Sequence, residues 1–119
     1  MNTDVIYCGD NVKVMQSEIE DESIDLTVTS PPYDNLRSYN GYAWDFETLA
    51  RELYRATKTG GVVVWVVGDA TVNGSETGTS FKQALCFMEH GFNLHDTMIY
   101  KKNSLAYPVF DKYYPCFEY

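Results

Sequence analysis

The residues best equipped for chemistry stand together as Thr29-Ser30-Pro31-Pro32-Tyr33, directly after the apolar run Ile24-Asp25-Leu26-Thr27-Val28. The two prolines fix φ and carry no N–H donor. A loop built on them presents carbonyl acceptors, and the Ser30 hydroxyl adds another. Tyr33 offers a flat face for stacking. A site of this composition can hold a planar ring that bears an amino group, and it suits methyl transfer to that amine. The exocyclic amine of a base is a poor nucleophile, because its lone pair is delocalised into the ring. Acceptors around its hydrogens draw the nitrogen toward a tetrahedral geometry, so the lone pair can face an electrophilic methyl. Positioning and preorganised polar groups achieve this, and no strong base is needed at the outset. Inside a duplex the nitrogen is out of reach, so the base must leave the stack. Tyr33 then replaces part of the lost stacking, on the order of 1–3 kcal/mol per base.

The flanking sequence supplies a frame for that loop. Residues 5–8 read as a short strand, followed by Gly9-Asp10. Asp10 or Asn11 can cap a helix carrying Val12, Met15 and Ile19. Residues 24–29 form a second strand, apolar enough to be central. Residues 34–44 hold Gly41, Tyr39, Tyr42 and Trp44 with no period, and read as a loop beside the proline pair. Asp45 caps a helix on which Phe46, Leu49, Leu53 and Ala56 recur, ended by Gly60-Gly61. Residues 62–67 are the strongest strand, and their unbroken apolar character fits burial on both faces of a parallel sheet. A flexible loop from Gly68 to Gly78 opens with Asp69. A helix over residues 79–90 carries Phe81, Ala84, Leu85 and Met88 and stops at Gly91. Residues 92–101 are a further strand, 103–114 are irregular and aromatic, and 115–119 open another strand. This alternation predicts an α/β layer fold with right-handed crossovers. Ligands of such folds bind beyond the carboxyl ends of the strands. Gly9-Asp10, residues 30–33 and Gly68-Asp69 all fall at those ends.

Composition bounds the reading. A chain of 119 residues is one domain at most. At 45% hydrophobic it can bury a core, though folding at this size hides only about 60–70% of the extended surface. No run of 18 apolar residues is present, so no membrane span is expected, and the first residues carry no basic n-region. Cys8, Cys86 and Cys116 are widely spaced and fit neither a disulfide framework nor a zinc site. Cys8 and Cys86 read as core residues, and the expected setting is a reducing cytoplasm. His90 and His95 approach neither a Ser/His/Asp pattern nor metal-ligand spacing; His90 stands at a helix end, where a cation is favourable, and His95 in a strand. The net charge of −8 opposes phosphate binding. Either this is an acidic soluble domain with no nucleic-acid partner, or the DNA-gripping surface lies in sequence outside these residues. Lys101, Lys102 and Lys112 near the carboxyl end favour the second account; the lone loop cation Arg37 reads as solvated.

With Ser30-Pro31-Pro32-Tyr33 in this frame, the chain resembles the amino-terminal part of an amino-group DNA methyltransferase, the family that uses S-adenosylmethionine and carries a Ser/Asp/Asn-Pro-Pro-Tyr motif. The order of elements is similar to the beta-type permutation, in which the catalytic half comes first, and the resemblance covers nearly the whole chain. It implies a Rossmann-like methyltransferase fold with a mostly parallel sheet, of which residues 1–119 are a partial catalytic domain. It implies catalytic roles for Ser30, Pro31 and Tyr33, with Pro32 mainly fixing the loop. Serine ahead of Pro-Pro-Tyr leans toward cytosine N4 in this family, and aspartate there toward adenine N6. The resemblance also implies that Asp10 contacts the adenine of S-adenosylmethionine. The plainer account of Asp10 is a helix cap, worth about 1 kcal/mol, and both can hold together. Asp69 either lines the target pocket or orders the loop that follows it, and capping of a turn at Gly68 is the simpler account.

The family's cofactor loop, an aromatic or acidic residue before Gly-x-Gly, has no counterpart among the glycines here and is expected after Tyr119. The chain is therefore expected to be a truncated portion that neither binds S-adenosylmethionine tightly nor methylates DNA alone. Double-stranded DNA with its target base flipped is the expected partner, a cognate restriction endonuclease a functional counterpart, and a homodimer through an open sheet edge a further association. The alternatives are an amine methyltransferase acting on RNA or protein, and a non-catalytic module that keeps the fold without the cofactor. A proline-rich peptide ligand is excluded, because Tyr33 follows Pro32 with no spacer.

Overall fold

The computed structural model describes residues 1–32 and 45–101, with the backbone of 117–118. Tyr33, Arg37, the loop of 34–44, Lys102, the irregular stretch of 103–114 with Lys112, and Cys116 lie outside the described residues. Regular structure begins with helix α1 (Asn11–Glu18). Asp10, in extended backbone, caps it, its carboxylate accepting from the Lys13 N–H at 3.1 Å. That bond satisfies one of the donors left unpaired in the first helical turn.

Strand β1 (Ile24–Thr29) pairs in parallel with β2 (Thr57–Trp65), and helix α2 (Phe46–Ala56) returns the chain between them. Asp45 caps α2 as expected, accepting from Thr48 Oγ1 at 2.5 Å and Thr48 N at 3.2 Å. Those two bonds, the hydroxyl's foremost, hold the Asp45 carboxyl below the usual carboxylate range. The face of α2 bearing Leu49, Ala50, Leu53 and Ala56 is buried, at the spacing a helix requires for a single inward stripe.

Gly60-Gly61 does not end this helix. α2 stops at Ala56 and passes into β2 at the next residue. The glycine pair sits where the ladder is irregular: Ile24 faces Thr57, but Leu26 already faces Val62. Gly60 takes φ of 83°, a conformation side chains disfavour. Gly61 solves a contact problem, since a Cβ there would stand 2.8 Å from Thr57 Cγ2 and 2.9 Å from the Lys58 carbonyl oxygen.

Two expected strands are absent or reduced. Residues 5–8 form no strand; Ile6 is 99% exposed and Cys8 is exposed, not a core residue. Of residues 92–101 only β5 (Tyr100–Lys101) is a strand, paired antiparallel with β6 (Phe117–Glu118), so His95 is outside it. A strand exists through its neighbours, and among the described residues neither segment has a longer one. Cys86 is half-buried, and burial pushes its thiol up.

Helix α3 (Thr79–Glu89) leaves three of the large apolar residues it carries exposed. Phe81, Leu85 and Met88 are 46–59% exposed, while Ser80 and Gln83 are buried. The cause is polar anchoring. The Trp65 indole N–H donates to Gln83 Oε1 at 2.9 Å, and Gln83 shares a helix face with Ser80 and Phe87. Phe87 meets Phe46 and Trp65 with ring centroids 5.1 Å away in each case, edge to face, the arrangement aromatic quadrupoles favour.

Arg55 fastens α1 to α2. Its guanidinium donates to Glu52 (2.8 Å), Asp21 (2.6 Å) and the carbonyls of Ile19 (2.9 Å) and Met15 (2.8 Å). Glu52 is buried. No helix of the described residues is long and apolar enough to cross a membrane.

Two substitutions test these assignments by urea unfolding. Arg55→Ala leaves the Glu52 carboxylate buried without its cation and should destabilise by roughly 3 kcal/mol. Gly61→Ala crowds Thr57 and Lys58 within β2, with the Asp25 carbonyl 3.1 Å away across the ladder, and should cost about 1–3 kcal/mol.

Candidate functional site

Parallel pairing sends both strands out of the sheet at one rim. Thr29 stands opposite Trp65, and the Val66 N–H donates to the Thr29 carbonyl at 3.0 Å, one step further out. Residues 30–32 and 66–70 therefore leave from adjoining positions. The first proline, Pro31, is buried, Pro32 is half-buried, and the serine before them, Ser30, is exposed. Behind the rim, the Trp65 indole packs against Phe46 and Phe87 and is held by Gln83.

Asp69 leaves the same rim, but its carboxylate is committed. Oδ1 accepts from Ser80 N at 2.7 Å and Oδ2 from Ser80 Oγ at 2.9 Å. The cap residue of α3 is Gly78, which has no side chain to offer. Asp69 supplies the missing acceptor from eleven residues upstream. It caps α3 and ties the far end of the loop it opens, in line with the loop-ordering role and not with a pocket-lining group or a Gly68 turn cap.

The stretch between Gly68 and Gly78 is not a structureless loop. β3 (Thr71–Val72) and β4 (Ser75–Glu76) form a hairpin, with Asn73 (φ 51°) and Gly74 (φ 77°) at its turn. Two consecutive positive φ values mark the tight turn whose twist matches paired strands, and an Asn-Gly dipeptide is its sequence signal. The Thr77 N–H donates to the Ala70 carbonyl at 2.9 Å and closes the base.

Asp10 is placed by α1 and not by the sheet, since residues 5–8 form no strand to carry it to the rim. It is exposed, and its carboxylate accepts from the Lys13 N–H. A carboxylate has about four lone-pair sites, so capping is compatible with accepting a further N–H. The geometry thus unites Ser30, Pro31 and Pro32 with the end of β2, and leaves Asp10 on its own helix. Sequence reading passed over Gln83, Ser80 and the role of Trp65. The Asn73-Gly74 dipeptide was a turn signal in the residues, passed over when 68–78 was read as a flexible loop.

The rim has the chemistry of an acceptor site: an exposed serine beside a segment whose two prolines lack N–H donors. It can take hydrogens from a ligand amine.

Comparison with known proteins places residues 24–119 in register with the N6/N4 methyltransferase family, described as DNA methylase. The orphan methyltransferase M.BamHII of Bacillus amyloliquefaciens is 67% identical over 105 residues, covering 88% of this chain and 40% of that protein. The type II methyltransferase M.MthZI of Methanothermobacter thermautotrophicus is 30% identical over 120 aligned positions, covering 74% of this chain and 33% of its own length. Among solved structures, a Thermus thermophilus protein assigned as a DNA modification methylase and complexed with S-adenosyl-L-methionine superposes with a TM-score of 0.69 at 25% identity. That superposition covers 92% of this chain and 50% of the other. The chain thus spans half or less of the relatives it matches.

The Asp69–Ser80 cap is open to a double-mutant cycle. Asp69→Ala should cost about 1–2 kcal/mol, in the range of lost helix caps. Adding Ser80→Ala to it should cost little more, because the two residues share one interaction. Urea midpoints of the four proteins check this; full additivity would mean the pair is not coupled.

Proposed function

The chain belongs to the N6/N4 family of DNA methylases, and we propose that it is the catalytic portion of an enzyme that methylates the exocyclic amine of a DNA base, cytosine N4 ahead of adenine N6. The observation that carries this reading is the rim at the end of β1: Pro31 buried, Ser30 exposed, and the Thr29 carbonyl tied to Val66.

In the proposed reaction the target base leaves the duplex and enters the rim edge-on. The Ser30 hydroxyl and the carbonyls of the proline segment accept from the amine hydrogens. The nitrogen lone pair is thereby freed from the ring and aimed at the methyl donor. Pro31 and Pro32 keep competing N–H donors away from that edge. Tyr33 stacks on the flipped ring. The ladder between β1 and β2 holds these groups at fixed separation, so their alignment is paid in advance by folding.

S-adenosylmethionine is the donor we assign, and it supplies an electrophilic methyl. The fit of this chain to it is partial. Asp10 can accept from an adenine amino group, but the glycines of the described residues lie in the β1–β2 irregularity, in the segment leaving β2 at Gly68, in the hairpin and at helix ends, not in a glycine-rich turn joining strand to helix. We therefore assign Asp10 to the cofactor's adenine, place the remaining contacts outside these residues, and expect the 119-residue chain to be inactive alone. Double-stranded DNA as substrate, a cognate restriction endonuclease as counterpart and a cytoplasmic setting belong to the same proposal.

The test uses the complete methyltransferase in single-turnover assays. Ser30→Ala should slow methyl transfer more than it weakens DNA binding. Tyr33→Ala should lose about 1–3 kcal/mol of base stacking, with Tyr33→Phe mild. N4-methylcytosine is the expected product. Exclusive N6-methyladenine would overturn the target assignment, and full activity of both variants would remove this rim from the active site.

A further inference from the structure

The rim extends beyond its proline loop. Val66, whose N–H is tied to the Thr29 carbonyl, opens a segment that runs through Asp69 and Ala70 into the β3–β4 hairpin. The foot of that hairpin is fixed. Val67 and Ala70 are buried. The Thr77 N–H donates to the Ala70 carbonyl at 2.9 Å, and both Asp69 oxygens are taken by Ser80. Beyond the foot all six residues from 71 to 76 are exposed. A two-stranded ribbon on a rigid base thus leaves the same rim as Ser30 and Pro31. Asn73 at its turn is seven residues on from Val66, no more than about 25 Å of extended chain. That is less than one turn of duplex DNA, about 34 Å. With a target base in the rim, the tip lies within reach of base pairs close to that target.

Composition says what such a ribbon can contact. Residues 66–77 hold no Lys or Arg, and the Asp69 carboxylate is committed to Ser80. A ribbon without cations gains nothing from displacing the counterions of phosphates. Thr71, Asn73 and Ser75 are neutral and polar, the kind of group that meets base edges. The major groove admits a two-stranded ribbon, and one edge there matches a carboxamide. The amide N–H donates to adenine N7, and the amide oxygen accepts from the adenine N6 amine. The turn by itself also favours asparagine at 73, where φ is 51°. Glycine serves that turn equally well, so the side chain and the turn can be tested apart.

We propose that the β3–β4 hairpin enters the major groove beside the target base, and that Asn73 reads the adenine of a neighbouring A·T pair. This rests on the reading of the chain as part of a DNA amine methyltransferase. It concerns the sequence context of methylation and not the transfer itself.

The experiment expresses the complete methyltransferase and its variants in cells without DNA methylation and maps the methylated sites by sequencing. The wild type should require an A·T pair at one position, other than the target, within a turn of the methylated base. Asn73→Gly should relax that preference roughly tenfold at this position alone. The melting temperature and the salt dependence of DNA binding should stay unchanged, because no phosphate contact is lost. Asn73→Asp also keeps the turn but removes the donor to N7, and should relax the same position. Ser30→Ala, by contrast, should slow transfer at all sites alike. A wild-type site without such an A·T pair, an unchanged site profile in either Asn73 variant, a loss shared equally by all sites, or a reduced salt dependence would each overturn the role of the hairpin and leave the rim standing. A wild-type enzyme that methylates no DNA would instead sink the functional reading beneath it.

Discussion

Two parallel strands cannot be joined by a tight turn; the chain must travel back outside the sheet, which takes about a dozen residues or more. That constraint organises this protein. Between Thr29 and Thr57 the chain leaves the sheet at the rim and returns through α2, capped by Asp45. The same departure that the crossover requires presents Ser30 and buries Pro31. Chemistry and topology therefore share one segment. The in-register pairing of Thr29 with Trp65 means that nothing can shift the proline loop without also shifting the aromatic cluster behind it.

Packing alone is a weak guide to orientation here. Among the described residues the buried apolar side chains are Leu49, Ala50, Leu53, Ala56, Val67 and Ala70, half of them alanine. Such a core does little to choose between two rotations of a helix. Polar anchors make the choice. Gln83 reaches Trp65 and sets the face of α3; Asp69 grips Ser80 and sets its first turn; Arg55 gathers two acids and two carbonyls and sets α1 against α2. Buried polar groups of this kind are costly if left unpaired, so they specify one arrangement strongly.

What could be read from the residues follows from the same distinction. Both capped helices were legible, because Asp10 and Asp45 are local signals acting three residues away. β1 and the last four residues of β2, 62–65, were legible from their apolar character, while 57–61 were not. Periodicity found α3 but not its face: Phe81, Leu85 and Met88 stay exposed, because Gln83 is the acceptor that the Trp65 indole takes. It failed on residues 5–8 and 92–99, whose strand propensity finds no ladder among the described residues. Gly60-Gly61 misled in another way: a helix stop and a ladder irregularity use the same permissive residue. The proline loop was legible as to type, and the burial of Pro31 required the fold.

The hairpin tip and the α2–β2 junction differ in how they would bear a break in the chain. At the junction the Thr57 N–H and hydroxyl both bond back to the Leu53 carbonyl, the hydroxyl at 2.6 Å, and no spare residue separates helix from strand. Inserted residues there would uncouple α2 from the ladder. The Asn73-Gly74 tip stands beyond a two-pair ladder closed at its base by Thr77 and Ala70, with all six residues from 71 to 76 exposed. Exposed tips of this sort accept new termini and insertions. The hairpin is thus a natural seam, where gene rearrangement could reopen or enlarge the polypeptide while the rim keeps its shape.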